Sequence, residues 1–332
     1  MAEVAGVSQS TVSRALRGDG AISNETRERV ASAALQLGYR PDVRAIRLRG
    51  GMVGYVAVVL LYAGSGSRRS LNPFYFDIAS AVEAAAARRG MSVLLSMQGD
   101  AASLRSDFES RREADGVVVI GTAANTAAWD HFARAGGQGS NIVAWGAPDD
   151  SLPCVRADNV AAGRLAVDHL LGEGRRAIAF VGPGWQSHLS FAQRRHGYLA
   201  AMAGAGLAPV EAGVAPCGDR VREGEEAVAE LLACGVSFDA VFAATDALAA
   251  GAMRGLARAG LSVPTHVSVV GFDGGQGAQM CDPLLTTVAQ DVVAAGEMLL
   301  ATLFDGERKE GVRGADDVVP VHLVVRESSA LR

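Results

Sequence analysis

Short apolar runs alternate with alanine-rich helical segments from Val53 to the C-terminal part of the chain. The runs are rich in Val, Ile and Ala and read GYVAVVLL, MSVLLSM, GVVVIG, NIVAW, AIAFVG, FDAVFAA and VSVVGFD. Continuous apolar runs separated by helices are typical of parallel strands that are buried on both faces. Because the runs are too many for one six-stranded sheet and the strand–helix order restarts near residue 176, the pattern predicts two doubly wound parallel-sheet lobes.

Two facing lobes of this kind are expected to enclose a cleft, since ligands of open α/β sheets bind beyond the carboxyl ends of the strands. Four residues follow apolar runs or predicted crossings between the lobes, and these are Pro73, Asp246, Asp273 and Gln290. They are the first candidates for the lining of the cleft.

Residues 1–38 have a different pattern, with the short helical segments AEVAG, SQSTVSRAL and SNETRERVASAALQLGY. The last segment carries apolar residues at i, i+3, i+4 and i+7, which are Val30, Ala33, Ala34 and Leu37. This spacing predicts a helix with one buried stripe. Ser23 is a suitable N-cap and Gly38 a suitable terminator. The N-terminal region is therefore predicted to be a small all-α unit.

The run AGVSQSTVSRAL, at Ala5–Leu16, fits a helix-turn-helix. Gly6 permits the tight turn, and Ser8 caps the second helix while leaving its amide end free to meet a phosphate. Three side chains of this helix are predicted to face inward, and these are Val12, Ala15 and Leu16. Three others project from the opposite side, and these are Gln9, Ser10 and Arg14.

The projecting side chains suit the edges of DNA bases, because Gln pairs with adenine and Arg grips guanine through two hydrogen bonds. A polar surface helix with a serine cap would show the same pattern. Residues 39–52, YRPDVRAIRLRGGM, form a predicted linker, in which Pro41 stops the preceding helix, several arginines make the segment basic, and Gly50 and Gly51 loosen its end.

Charge is distributed unevenly along the 332 residues, whose formal net charge is −5. Residues 1–50 hold eight Arg and five Asp or Glu, a net of +3, whereas the remaining 282 residues hold 23 basic and 31 acidic groups. A cationic end on an acidic body fits a chain with one DNA-facing module, although an excess of this size also arises by chance.

The four cysteines are widely spaced, with no CxxC pair and no histidine at metal-ligand spacing. They are expected to be reduced thiols, and no metal or cofactor is expected. The N-terminal sequence MAEVAGVSQS does not resemble a signal peptide, and no apolar run approaches the roughly 18 residues that a membrane helix needs. We therefore expect a cytoplasmic protein without a membrane partner.

AGVSQSTVSRAL, SNETRERV and LGYRPD occur in the order and at the spacing of a known headpiece. They resemble the DNA-binding headpiece of LacI-type regulators, the lac- and purine-repressor family. The resemblance implies that Gln9, Ser10 and Arg14 touch base edges and that Ser8 and Thr11 touch phosphates. It also implies that Ala45 and Leu48 belong to a hinge helix, whose leucines wedge into the minor groove in a dimer.

The rest of the chain is similar to the effector-binding core of the same family, through LNPFYFDIASAVEAAAARRG, ADNVAAGRLAVDHLLGEGRRAIAFVG, AATDALAAGAMRGLARAGLSVPTHVSVVGFD, PLLTTVAQD and VVRESS. By this resemblance, residues 1–40 are the headpiece, 41–52 the hinge helix or linker, and 53–332 the core. The N-lobe would comprise about 53–159 and 290–316, and the C-lobe about 160–289 and 317–332.

The resemblance places the effector between the two lobes. The implied effector-binding residues are Asn72, Pro73, Phe74, Ser190, Arg194, Arg220, Thr245, Asp273 and Gln290. Arg194 would clamp hydroxyls or an acidic group, and Asp273 would accept hydrogen bonds from hydroxyls. Alternatively, Arg194 belongs to a solvated helix face and Asp273 stabilises the loop GFDGGQG. The family often has an aromatic residue at Arg220 and an acidic residue at Gly146.

These expectations combine into a DNA-binding transcriptional regulator, a repressor, rather than an enzyme. Its expected partners are a near-palindromic DNA operator, a second copy of the chain, and a small effector that is a sugar or sugar derivative. A periplasmic-type sugar-binding protein without DNA function is the alternative, but it predicts a signal peptide and no headpiece. A hydrolase or phosphotransferase ranks last, because the chain has neither GxSxG nor GxxxxGK[ST].

Overall fold

The computed structural model describes residues 1–16, 20–38, 51–62, 71–121, 125–183, 188–214, 219–305 and 318–330. The chain divides into two compact units, Met1–Val53 and Gly54–Arg332, and each is described by itself. No helix in the described ranges is long and apolar enough to cross a membrane.

The N-terminal unit contains the helices α1 (Ala2–Ala5), α2 (Gln9–Leu16) and α3 (Asn24–Gln36). Gly6 ends α1 at φ 62°, in the left-handed region that favours glycine. The Ser23 hydroxyl caps α3 by accepting from the Thr26 amide at 3.3 Å. The predicted caps and turn are therefore present.

A small apolar core joins these three helices, formed by Ala5, Val12, Ala15, Val30 and Ala33. Leu16 is half-buried against it. The predicted stripe on α3 fails at its last position, because Leu37 is 51% exposed. The helix ends at Gln36, so the Leu37 side chain no longer follows the helical period that would turn it inward.

The second unit contains two six-stranded sheets. The first comprises β1 (Tyr55–Leu61), β2 (Ser92–Gln98), β3 (Val117–Gly121), β4 (Ile142–Trp145), β5 (Cys154–Ala157) and β11 (Val318–Val319), in the spatial order β2-β1-β3-β4-β5-β11. The second comprises β6 (Ile178–Pro183), β7 (Val210–Val214), β8 (Ala240–Ala243), β9 (Ser268–Asp273), β10 (Thr286–Gln290) and β12 (Val321–Val324), in the order β7-β6-β8-β9-β10-β12.

Helices cover both faces of each sheet. They are α4 (Phe74–Arg88), α5 (Thr126–Gly137), α6 (Asn159–Gly172), α7 (Leu189–Gly204), α8 (Arg220–Ala233), α9 (Asp246–Arg258) and α10 (Val292–Phe304). Successive residues of β1 enter different cores, since Val58 packs with α4 and α10 whereas Val59 packs with α5. Double-sided burial accounts for the continuous apolar runs, and the predicted pair of α/β lobes is confirmed.

The strands differ from the prediction of a purely parallel fold at one edge. β12 pairs antiparallel with β10, while the other strand pairs in both sheets are parallel. The lobe with the first sheet is called the N-lobe and the other the C-lobe. The last crossing between them lies at Pro320 rather than near residue 316, because Val318–Val319 still pair with β5.

Candidate functional site

A cavity opens between the lobes where the carboxyl ends of their strands face each other. Strand ends contribute Gly121, Trp145, Arg156, Phe272, Asp273 and Gln290 to its lining, and the starts of helices contribute Asn72, Phe74, Tyr75, Ser190, Phe191 and Arg220. This position follows the general rule for open α/β sheets, whose ligands bind beyond the carboxyl ends of the strands. The cavity is the candidate ligand-binding cleft.

Asp273 ends β9, lines the cleft and is largely buried. Its Oδ2 accepts from Asn72 Nδ2 at 3.2 Å and its Oδ1 from Gln290 Nε2 at 3.0 Å. Burial is the largest influence on this carboxyl and raises its pKa to about 8, with the neighbouring Asp246 carboxylate acting in the same direction. Asp273 therefore links the two lobes through its bond to Asn72, and Gln290 of the neighbouring strand β10 holds its other oxygen.

The loop after Asp273 is held by Asp246, at the start of α9. Asp246 Oδ2 accepts from the amides of Gly274 and Gly275 at 2.9 and 3.2 Å, and Oδ1 accepts from Thr287 Oγ1 at 2.6 Å. Asp273 itself has a φ of 132°, an uncommon value for a residue with a side chain. The interpretation of Asp273 as the residue that stabilises this loop is wrong, because Asp246 bonds the loop amides.

Arg194 on α7 is only 5% exposed, so the interpretation of a solvated helix face is also wrong. Its guanidinium carbon lies 4.0 Å from the ring centre of Phe272 and 4.6 Å from that of Phe191. Its Nη1 donates to the Ala244 carbonyl and its Nε to the Ser190 carbonyl. Burial lowers its pKa to about 10, which leaves it charged at neutral pH.

Close packing of α7 on α6 fixes the position of Arg194. A Cβ on Gly197 would collide with the Val160 carbonyl, and one on Gly163 would collide with the Arg194 carbonyl. The two helices therefore approach each other at glycines, where side chains are absent.

His188 caps α7, with its Nδ1 accepting from the Ser190 amide at 3.2 Å. Burial lowers its pKa to about 3, with smaller contributions from the charges of Arg194, Arg156 and Arg220. The ring is therefore neutral and acts as an acceptor and an apolar wall. Tyr75 completes this wall and donates its hydroxyl to the Gly121 carbonyl at 3.1 Å.

The cleft brings together eight of the nine residues that were predicted to bind an effector: Asn72, Phe74, Ser190, Arg194, Arg220, Thr245, Asp273 and Gln290. Pro73 does not line it, because this residue is the exposed N-cap of α4. Asp246 lies behind the cleft and positions the loop after β9. Sequence reasoning missed Arg156, whose only signal was its place near the end of β5.

The predicted DNA-contacting side chains lie on or beside α2. Ser8, Gln9, Ser10 and Arg14 are exposed and Thr11 is half-buried. Ser8 Oγ accepts from the Thr11 amide at 3.1 Å, which confirms the predicted cap. Ala45 and Leu48, assigned to the hinge helix, lie outside the described residues.

Known families match both units. Residues 1–42 match the model of bacterial regulatory proteins of the lacI family, and residues 58–302 match the model of periplasmic binding proteins and the sugar-binding domain of the LacI family. The transcriptional regulator CelR of Thermobifida fusca is 32% identical over 342 residues, covering 99% of this chain and 96% of the relative.

Solved structures agree with these matches. A CelR–cellobiose complex shares 30% identity and superposes with a TM-score of 0.64 over 98% of both chains. The lac repressor dimer bound to operator and the anti-inducer ONPF gives a TM-score of 0.74 over 99% of this chain and 98% of that one, and at 23% identity it supports the fold. The matching relatives are regulators rather than enzymes. With its helix-turn-helix unit and two-lobed core, this chain belongs to the LacI family of DNA-binding transcriptional regulators.

Proposed function

We propose that this regulator is a cytoplasmic repressor whose affinity for its operator changes when a sugar or sugar derivative binds between the lobes. The observation that carries the proposal is the arrangement around Asp273. A carboxyl group flanked by two amides offers acceptors and donors for vicinal hydroxyls, while Phe191, Phe272 and Trp145 supply apolar surface for ring C–H groups. CelR, a relative, has been solved with cellobiose.

A melting-temperature screen of sugars, sugar phosphates and polyols tests this effector site, because a ligand of the native state raises the melting temperature by mass action. A ligand of the cleft should lose its effect in Asp273→Ala and in Arg194→Ala. Arg222→Gln is the matched control, since Arg222 is exposed on α8 and pairs with Glu226. Equal binding by all the variants would place the ligand elsewhere.

The proposed DNA contacts are made by Gln9, Ser10 and Arg14 to base edges and by Ser8 and Thr11 to phosphates. Selection of operator sites from random DNA by wild type and by Arg14→Ala tests this assignment. The variant should lose about 1–3 kcal/mol of discrimination at one base pair per half-site. Arg29→Ala, on the exposed surface of α3, should keep the wild-type preference. An unchanged preference in Arg14→Ala would contradict the assignment of α2.

We further propose a homodimer that binds a near-palindromic operator through two recognition helices. Support comes from large apolar side chains on the N-lobe, where Leu94 and Leu95 are exposed on the edge strand β2 and Phe76 is exposed on α4. Sedimentation should show a dimer for wild type and a shift toward monomer for Leu95→Lys. If the effector changes the affinity of the protein for its operator by a given factor, binding of the operator must change the affinity for the effector by the same factor.

A further inference from the structure

Arginine dominates the charge of the cleft. Arg156, Arg194 and Arg220 all line it, whereas Asp273 is the one acidic residue among its described lining residues. Each of the three guanidinium groups is close enough to His188 to lower the pKa of its ring. A site for an uncharged sugar does not require such an excess of cations.

Two of the three arginines have buried or backbone partners within the protein. Arg220 Nη1 donates to Glu223 Oε2 at 2.6 Å, and this carboxylate is only 1% exposed. Arg194 donates to two backbone carbonyls and lies against two aromatic rings. Both side chains are thereby held in place before any ligand arrives.

Arg156 differs from the other two. Its Nη1 reaches Asp150 Oδ1 at 3.4 Å, but the Asp150 side chain is 54% exposed, so the pairing is weak. Its Nε and Nη2 are buried and have no hydrogen-bond partner among the residues that the structure describes. Buried guanidinium donors are normally satisfied, so an orphaned pair at the wall of a cleft indicates a missing acceptor.

Among the neighbours of Arg156, the Asp150 carboxylate reaches only Nη1, and the Cys154 thiol, which interacts with the guanidinium, is a weak acceptor. Burial raises the pKa of the Cys154 thiol, which is therefore protonated at neutral pH. Gly146 has φ 60° and lines the cleft, and the nearest atom to a Cβ built there would be Ser190 Oγ at 3.8 Å. Space for a side chain is present at this position, but no carboxylate occupies it.

Two adjacent guanidinium donors form a fork that matches the paired oxygens of a carboxylate or phosphate. We propose that the effector is an anionic sugar derivative, whose carboxylate or phosphate group binds Arg156 with support from Arg220. The sugar hydroxyls then bind the group formed by Asp273, Asn72 and Gln290. This inference rests on the proposed function of the cleft as the effector site, and it specifies the chemical class of the effector.

Matched sets of probes test the proposal by calorimetry and melting temperature. Each set contains a neutral sugar with its acid, its phosphate or both: glucose, glucuronate and glucose 6-phosphate; galactose, galacturonate and galactose 6-phosphate; cellobiose and cellobionate; ribose and ribose 5-phosphate. At least one anionic member should bind at least about tenfold more tightly than its neutral counterpart, at matched ionic strength. Comparison of the affinities for the sugar acids and the sugar phosphates shows whether the site binds a carboxylate or a phosphate group.

Variants of Arg156 connect this preference to the site. Arg156→Met should abolish the preference for the anion, and Arg156→Lys, which keeps the charge but loses the fork, should retain part of it. Arg222→Gln should behave as wild type. The proposal is overturned if a neutral sugar binds as tightly as its anions, if Arg156→Met keeps the preference, or if no anion of the panel binds at about 10 mM.

These outcomes separate the inference from the proposed function. Binding of a neutral sugar that is lost in Asp273→Ala overturns the anionic effector but supports the cleft as a sugar site. Binding of an anion that survives both Asp273→Ala and Arg194→Ala overturns the cleft itself.

Discussion

Asp273 and Arg156 line the same cleft, but the polar atoms around them differ in how far they are satisfied. Both oxygens of Asp273 accept hydrogen bonds from side-chain amides, and the loop behind it is fixed by Asp246. Two donors of Arg156 have no acceptor within the described part of the chain. The Asp273 carboxyl therefore has its hydrogen bonds without a ligand, whereas the Arg156 guanidinium does not.

The difference separates two contributions to binding. The Asp273 group is preorganised, so a ligand that exchanges hydrogen bonds with it spends little free energy on ordering side chains. The Arg156 donors are already desolvated, so an acceptor that reaches them relieves a penalty that the free protein carries. Geometry at the first group and charge at the second would together determine which ligands bind.

The largest expected effect comes from breaking the support of the Asp273 group. Asp246→Ala removes the acceptor of two amides and of the Thr287 hydroxyl. We expect the free energy of unfolding to fall by about 3 kcal/mol in urea titrations, since hydrogen bonds to charged groups contribute about 1.5–3 kcal/mol each and relief of buried charge offsets part of the loss. A loss below about 0.5 kcal/mol would show that the loop is held otherwise.

Arg220→Met tests the statement that Arg220, unlike Arg156, is satisfied within the protein. Glu223 would lose its arginine partner while remaining buried. The expected cost is about 2 kcal/mol of unfolding free energy, because the buried Glu223 carboxylate would lose a charge-assisted hydrogen bond. The double variant Arg220→Met/Glu223→Leu should recover part of this stability. If Arg220→Met alone leaves the unfolding free energy unchanged, Arg220 is no better satisfied within the protein than Arg156.

The pH dependence of stability tests the buried state of Asp273. Its pKa of about 8 in the folded protein exceeds the usual 3.8, so the native state binds more protons than the unfolded chain. Stability should therefore fall as pH rises, by about 1 kcal/mol between pH 7 and 8. His188 titrates below this window, and Tyr75, whose pKa is raised to about 12, titrates above it.

Asp273→Asn is the control for this dependence. The charges that face Asp273 are those of Asp246 and Arg194, and both remain in the variant. Urea titrations at pH 7 and at pH 8 give the unfolding free energies of wild type and of Asp273→Asn. The extra stability that wild type loses between these pH values is the contribution of the Asp273 carboxyl. An equal loss of unfolding free energy in the two proteins would show that Asp273 is ionised at both pH values.

Local signals in the sequence predicted much of the fold. Gly6 and Ser23 determine a turn and a cap through their own backbone and side-chain geometry, and the apolar period locates Val12 and Val30 in the core. The continuous apolar runs at β1 and β3 predicted buried parallel strands. β12 was not predicted to be antiparallel, because strand direction depends on how the chain returns rather than on composition.

The cleft was predictable only in part, because it is assembled from distant positions. Asn72 and Asp273 are 201 residues apart and were found through family resemblance. Arg156 has no family motif, and a single arginine within a short strand does not show whether it faces solvent or a cavity. Whether its donors find acceptors depends on Gly146, Asp150 and Cys154 together, and no local pattern encodes that combination.

The smallest expected effect is also the most direct test of the contrast between Asp273 and Arg156. Arg156→Met keeps the aliphatic stem but removes buried donors that lack acceptors, so the effector-free protein should become more stable by up to about 1 kcal/mol. Asp273→Ala should instead destabilise it, because the Asn72 and Gln290 amides lose their acceptor. Urea titrations at pH 7 measure both, with Arg222→Gln as the neutral control. Destabilisation by Arg156→Met would mean that its guanidinium already has partners in the free protein, and the contrast between the two groups would disappear.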